Sequence, residues 1–297
     1  MKIIRLLPLL VVLLLICPLA LAQEEYIPPQ WEVPEYVTWL LDIADEEVGY
    51  KEGPHGYSKY GEWSGDPYAQ WCAEFVCWCV DQVDRQHGTQ LLNHVYPMYS
   101  AQNVGKNWFI KEGRYITRWG NIDGWGYQWL KGEDKFLKTG DYIPQPGDWM
   151  FFTWTSGTDT DHVAMVEYCT RKGDDILIHV IEGNNPTSVQ RAAYSLYDKS
   201  ILGYGTVHDV ADVTMRYPCE GEKVRQFQNK LIYIGAYDGK ANGVYGSSTV
   251  AAVKTFQQKH GLKVNGIANI ATQQLVDTLY NDLIDRDPAY WTVVDEE

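Results

Sequence analysis

An α+β fold in two domains is what this sequence predicts, and three observations predict it. Apolar residues recur at helical spacing early in the chain, β-like runs bounded by turn residues occupy its middle, and short helical faces separated by Gly-Asn turns come last. Helices first and an antiparallel meander afterwards make one unit spanning residues 34–210, and residues 220–280 make a small helical bundle after a linker at 211–219. A chain of 297 residues has room for two such cores, and its hydrophobic content of 45% is ordinary for a globular protein.

Taken in order, Tyr36, Trp39, Leu40, Ile43 and Val48 mark a first helix, for which Gly49 is a stop. A second pattern starts near Gln70, carries Phe75, Val76, Cys79, Val80 and Val83, and ends at Gly88; Cys72 lies in its first turn. Residues 89–145 are rich in Trp, Tyr, Gly and Asn without a clean period. They read as a long loop region with short elements, the kind of stretch that shapes a site. Pro146-Gly147 then turns the chain into β-like runs at 148–154, 162–169 and 175–181, with a fourth at 202–208. In the last unit Val224, Phe227 and Leu231 make one face, Val250, Val253 and Phe256 a second, and Leu275, Val276 and Leu279 a third. Residues 281–297 form an acidic tail in which Tyr290 and Trp291 could dock.

At the other end, Lys2 and Arg5 precede an apolar run from Leu6 to Leu15, and Ala20-Leu21-Ala22 supplies small residues at cleavage spacing. Residues 1–22 therefore read as a signal peptide. An uncleaved anchor is the weaker alternative, because the run is short and Pro18 breaks it; a lipid-anchored Cys17 is weaker still, with bulky Ile16 before it. Without those two cations the chain keeps 23 basic against 39 acidic side chains, a formal charge of −16. That balance argues against nucleic acid and anionic lipid as partners and against stable membrane insertion after cleavage. Six cysteines become five once Cys17 is removed, and an odd count in an exported protein leaves at least one thiol unpaired.

A thiol becomes a good nucleophile where the amides and dipole of a helix's first turn stabilise its thiolate, and Cys72 occupies such a place, whereas Cys77 and Cys79 do not. On position alone Cys72 is equally a small buried hydrophobe. Nucleophilic catalysis also needs a base within hydrogen-bond reach and a third group to orient it. His162 opens a β-like run directly after the polar loop 155–161, at a rim position, whereas His179 sits inside an apolar strand and reads as a core histidine. The next run ends in Ile181-Glu182-Gly183-Asn184. Strand alternation puts Glu182 and Asn184 on one side if the extension continues, so either could accept from the imidazole and the other assist; turn chemistry explains both equally well. The spacing of Cys72, Cys77 and Cys79 does not make the paired knuckles of structural zinc, and there is neither a phosphate-cradling Gly loop nor a His-Glu-x-x-His helix. No metal and no cofactor is expected.

Four segments in order resemble the CHAP domain, the cysteine/histidine-dependent amidohydrolase/peptidase family. They are Tyr60-Gly61-Glu62-Trp63 with Gln70-Trp71-Cys72-Ala73-Glu74-Phe75-Val76, then Pro146 to Phe152, Asp161 to Val166, and Ile181 to Asn184. The resemblance implies a papain-like fold, N-terminal helices packed on an antiparallel sheet, in which Cys72 attacks an amide carbonyl, His162 relays the proton, Glu182 orients the imidazole and Asn184 assists. Cys77, Cys79 and the aromatic stretch before Pro146 are individual to this chain and leave the substrate groove open. The C-terminal unit resembles the three-helix peptidoglycan-binding domain through Val224-x-x-Phe227-Gln228, Gly239 to Gly246, Ala252-Val253-x-x-Phe256-Gln257, Gly261-Leu262 and Val264-Asn265-Gly266. Asn242 and Asn269-Ile270 depart from its usual residues. Together the two resemblances imply a secreted, wall-associated monomer that hydrolyses a stem-peptide amide of bacterial peptidoglycan. The alternatives are a catalytically inactive wall-binding protein and a general protease.

Overall fold

The computed structural model describes residues 24–155 and 157–286; the expected signal peptide and the end of the acidic tail lie outside them. Helix α1 (Glu35–Glu46) buries Val37, Leu40, Ile43 and Ala44; of the expected stripe Leu40 and Ile43 lie in the core, Tyr36 and Trp39 are half-buried, and Val48 falls beyond the helix and is exposed. Helix α2 (Lys59–Ser64) starts at Ser58, whose hydroxyl accepts from the Gly61 amide at 2.9 Å. Helix α3 (Cys72–His87) ends where Gly88 takes a left-handed φ of 69°. A fourth helix, α4 (Val104–Lys111), lies inside the aperiodic stretch.

The strands are β1 (Glu25–Ile27), β2 (Tyr115–Thr117), β3 (Asn121–Ile122), β4 (Gly126–Leu130), β5 (Trp149–Phe152), β6 (His162–Lys172), β7 (Asp175–Glu182), β8 (Gln190–Ser195), β9 (Ile201–Gly205) and β10 (Ala211–Val213). Seven of them form one antiparallel sheet in the order β2-β9-β5-β6-β7-β8, with β1 on the far length of β6; β10, β4 and β3 form a second, smaller one. Phe151, Val163, Met165 and Ile181 face α3 in one apolar cluster, while Met150, Phe152, Ala164, Val166 and Val180 pack on the other side of the sheet. Strand β5 is thus buried on both faces, which is why its sequence is continuously apolar rather than alternating. Each large apolar side chain so removed from water contributes roughly 2 kcal/mol.

The last unit is the expected bundle, α5 (Glu222–Tyr233), α6 (Ser247–Lys259) and α7 (Ile270–Ile284). Residues 211–219 differ from expectation, because they are built into both units rather than linking them loosely. Ala211–Val213 pair with β4, Met215 exchanges two backbone hydrogen bonds with Ala268 at 3.0 and 2.9 Å, and Gln273 Nε2 donates to the Val213 carbonyl at 2.9 Å. Val213, Met215 and Cys219 join Val224, Phe227 and Val253 in the same apolar cluster as α3. Pro218 and the surrounding charges disguise this seam as a linker in the sequence.

At the seam Lys223 is 5% exposed and reaches Asp209 at 2.6 Å and Asp212 at 3.0 Å. Removing one side of a buried ion pair leaves the other uncompensated. Lys223→Ala should therefore lower stability by about 2 kcal/mol, measured as a reduced urea midpoint of the whole chain, with Lys223→Arg recovering part of the loss.

Candidate active site

Three element ends meet in one place. Cys72 is the first residue of α3, His162 the first of β6 and Glu182 the last of β7. The register Met165↔Ile181 makes Glu182 a diagonal neighbour of His162 on one face of the sheet, close enough for their side chains to meet. His162 Nε2 lies 2.9 Å from Glu182 Oε2, with the carboxylate fully buried and the ring 4% exposed. The Cys72 thiol is the other side chain that bears on the imidazole, and it too raises the ring's pKa. Cys72 and His162 line one cavity of about 160 Å³ with Gln70, Tyr99, Phe151 and Thr160.

Close approach of β7 to α3 is what makes this meeting possible, and Gly183 permits it. A Cβ there would stand 2.7 Å from Trp71 Cζ3 and 2.8 Å from Phe75 Cβ, inside van der Waals contact. Trp71 itself is fixed by donating its indole N–H to Glu52 at 3.1 Å.

The buried Glu182 carboxylate is saturated with donors. Asn185 Nδ2 reaches Oε1 at 2.8 Å, Gln190 Nε2 reaches it at 3.0 Å, and the Tyr194 hydroxyl lies 3.0 Å from Oε2. Burial pushes the Glu182 pKa up, and these donors with His162 more than reverse it, so the group is held below the usual carboxylate range. Burial likewise pushes His162 down, but its hydrogen bonds to Cys72 and Glu182 outweigh that and raise it to about 9. Trp154 stacks on the imidazole at 4.9 Å, and Asp161 holds that loop by accepting from the Trp154 and Thr155 amides at 2.6 and 2.9 Å.

Asn184 is the exception among the expected site residues. The extended backbone stops at Glu182, and Asn184 turns into a left-handed φ of 60°, so strand alternation no longer places it beside Glu182. It makes no hydrogen bond to the imidazole; its Nδ2 donates to Gln70 Oε1 at 2.9 Å instead. Among the described residues no group of three or more His, Cys, Asp or Glu side chains converges as a metal site requires. His179 is a strand residue stacked on Tyr168 and bonded to Thr170, 2.9 Å away.

Residues 63–184 match the CHAP domain family and residues 220–276 the peptidoglycan binding domain family. The chain carries a CHAP domain and a peptidoglycan-binding domain in tandem. Curated relatives include a spore cortex-lytic enzyme of Bacillus cereus, 45% identical over 56 residues, 19% of this chain and 22% of that protein. Another, from Bacillus subtilis, is 37% identical over 82 residues, 27% of each. The chain thus spans about a quarter of the length of the curated relatives it matches. The crystal structure of the SleB N-terminal domain shares 37% identity over 23% of this chain and 92% of that one, with a TM-score of 0.22.

The supporting residues Trp154, Asn185, Gln190 and Tyr194 are not foreseeable from motif spacing alone. Gln190 and Tyr194 lie on β8, whose half-exposed sequence QRAAYS carries no run of apolar residues. Its exposure alternates over Gln190 to Ala193, but the residue types there do not, so the sequence does not show the strand.

Gly183→Ala should force β7 away from α3, costing about 2 kcal/mol of stability. A lowered midpoint of thermal unfolding checks this expectation.

Proposed function

We propose that this chain is an exported peptidoglycan hydrolase that cuts an amide of the stem peptide, either the N-acetylmuramoyl–L-alanine bond or one within the peptide. The observation that carries the reading is the Glu182–His162 clamp aimed at Cys72, on a chain that also carries a peptidoglycan-binding domain. The names of the spore cortex-lytic relatives support a wall substrate.

Cys72 Sγ gives its proton to His162 Nδ1 and attacks the amide carbonyl, forming a tetrahedral intermediate. His162 passes that proton to the departing nitrogen as the C–N bond breaks and a thioester remains. Water, deprotonated by the same imidazole, then releases the acid and restores the thiol. Glu182 holds the ring in orientation and stabilises its charged form. Asn184 engages Gln70 Oε1, which leaves the Gln70 amide N–H groups as donors to the developing oxyanion in the cavity that Gln70 lines with Cys72, alongside the Cys72 backbone N–H. Asn184 on this reading is a positioning residue for Gln70 rather than for the imidazole.

Cys72→Ala should lower the release of new amines from purified walls by about 10⁴-fold while leaving wall binding intact. Native rates in that variant would remove the nucleophile, and a wild type that binds walls without releasing fragments would make the chain a wall-binding protein only.

The charged imidazole is needed to protonate the leaving amine, and its pKa is raised, so that form persists until the pH climbs through about 9. Activity should fall above that pH. Glu182→Gln removes a contribution that raises the His162 pKa, so the alkaline limb should move to lower pH and kcat should drop by about 100-fold. A pH–rate profile of kcat in both proteins measures the shift and its sign.

A further inference from the structure

A second cavity lies beside the catalytic one. We infer that this cavity, of about 470 Å³ and walled by Lys106, Asn107, Trp119, Asn121, Asp123 and Asp159, is a subsite for an N-acetylhexosamine of the glycan strand. The inference rests on the proposed hydrolase reading and specifies where the sugar next to the scissile amide is held.

The two cavities share a partition. Ala101, Gln102, Thr160 and Asp161 line the catalytic side, and the adjoining residues Asn103, Thr158 and Asp159 line the other. The partition is pinned across its width. The Asn103 amide donates to Thr160 Oγ1 at 2.8 Å, the Thr160 amide to Asn103 Oδ1 at 3.0 Å, and Asn103 Nδ2 to Asp159 Oδ1 at 2.6 Å. Lys106 Nζ donates to the Thr158 carbonyl and closes the same wall. A ligand lying over this wall would occupy both cavities at once.

The lining chemistry selects a sugar. Trp119 is 44% exposed, with the Arg118 guanidinium 5.7 Å from its ring fixing the indole without covering it. Buried Tyr115, Thr117 and Ile122 make the floor. At the rim the Asn107, Asn121 and Asp123 side chains make no hydrogen bond within the described residues, so their donors and acceptors are available to a ligand. An aromatic face flanked by planar amides and a carboxylate matches a pyranose, which offers an apolar C–H face and equatorial hydroxyl and acetamido groups.

The test uses full-length Cys72→Ala protein, titrated with peptide-free N-acetylglucosamine tetramer and, separately, with a free L-alanyl-D-glutamyl stem peptide. The Trp119 indole N–H resonance is assigned by its loss in Trp119→Phe. The expected result is that the tetramer shifts this resonance and the peptide does not, and that Trp119→Ala raises KM on intact walls about tenfold. A tetramer that shifts only resonances of residues 220–276, or a peptide that moves the Trp119 signal, overturns the subsite. Because this readout uses a variant without the thiol, it is independent of turnover; failure of the wild type to release amines would count against the hydrolase reading alone.

Discussion

A fully buried carboxylate is the constraint around which the CHAP domain is arranged. Glu182 in an apolar interior would be neutral or would unfold its surroundings unless donors replaced the water it gives up. Here the replacement comes from three directions: the imidazole of His162, the amides of Asn185 and Gln190, and the hydroxyl of Tyr194. Satisfying this one charge requires β8 to pair with β7, and it requires the chain after Glu182 to turn back so that Asn185 can reach Oε1. The glycine between them is set by the opposite face, where Trp71 and Phe75 leave no space for a Cβ. Geometry at the imidazole and packing of α3 on the sheet are therefore two consequences of the same four-residue segment, Glu182 to Asn185.

The second domain bears on this arrangement through its attachment. A flexible tether would act by raising the effective concentration of catalytic domain near the wall, with orientation left to chance. The chain between the domains has little freedom to do so, since strand pairing through β10, the Met215–Ala268 bridge and the ion pairs of Lys223 fix it on both sides. Apolar side chains from both domains also fall in one continuous cluster. The two domains are consequently held in a set relation.

Much of this was legible in the residues. The periodicities of α1 and α3, the turn at Pro146-Gly147 and the three apolar runs after it correspond to elements with the expected order and similar bounds, because each is driven by burial of a regular stripe. Strand β8 and the short strands of the 89–145 stretch were not, since an edge strand with one solvated face and strands of two to five residues are too short or too mixed to show a period. The same holds at the site. Cys72, His162 and Glu182 stand where motif order suggests, whereas Asn184 was assigned by assuming continued extension, and the left-handed turn that Gly-Asn-Asn-Pro prefers defeats that assumption. Residues 211–219 show the reverse error, in which proline and charge imitate a linker while Val213, Met215 and Cys219 bury themselves.

The five described cysteines show how burial separates reactive from inert chemistry within one chain. None is in a disulfide, so oxidation state does not distinguish them. Desolvation does. It pushes Cys77 and Cys169 up to about 12 and Cys219 to about 11, and it drives Cys79 well above its ordinary value, so these thiols stay protonated and behave as small apolar groups. Cys77 and Cys169 spend their S–H groups on the carbonyls of Pro97 and Pro144. Cys72 alone among them is not fully buried, and it alone has an imidazole for a partner. Placing it one residue into α3 faces it toward the ends of β6 and β7, whereas Cys77 and Cys79, one and two turns along, point into the packed interior. Where the helix begins is thus what sets Cys72 apart from the four buried thiols.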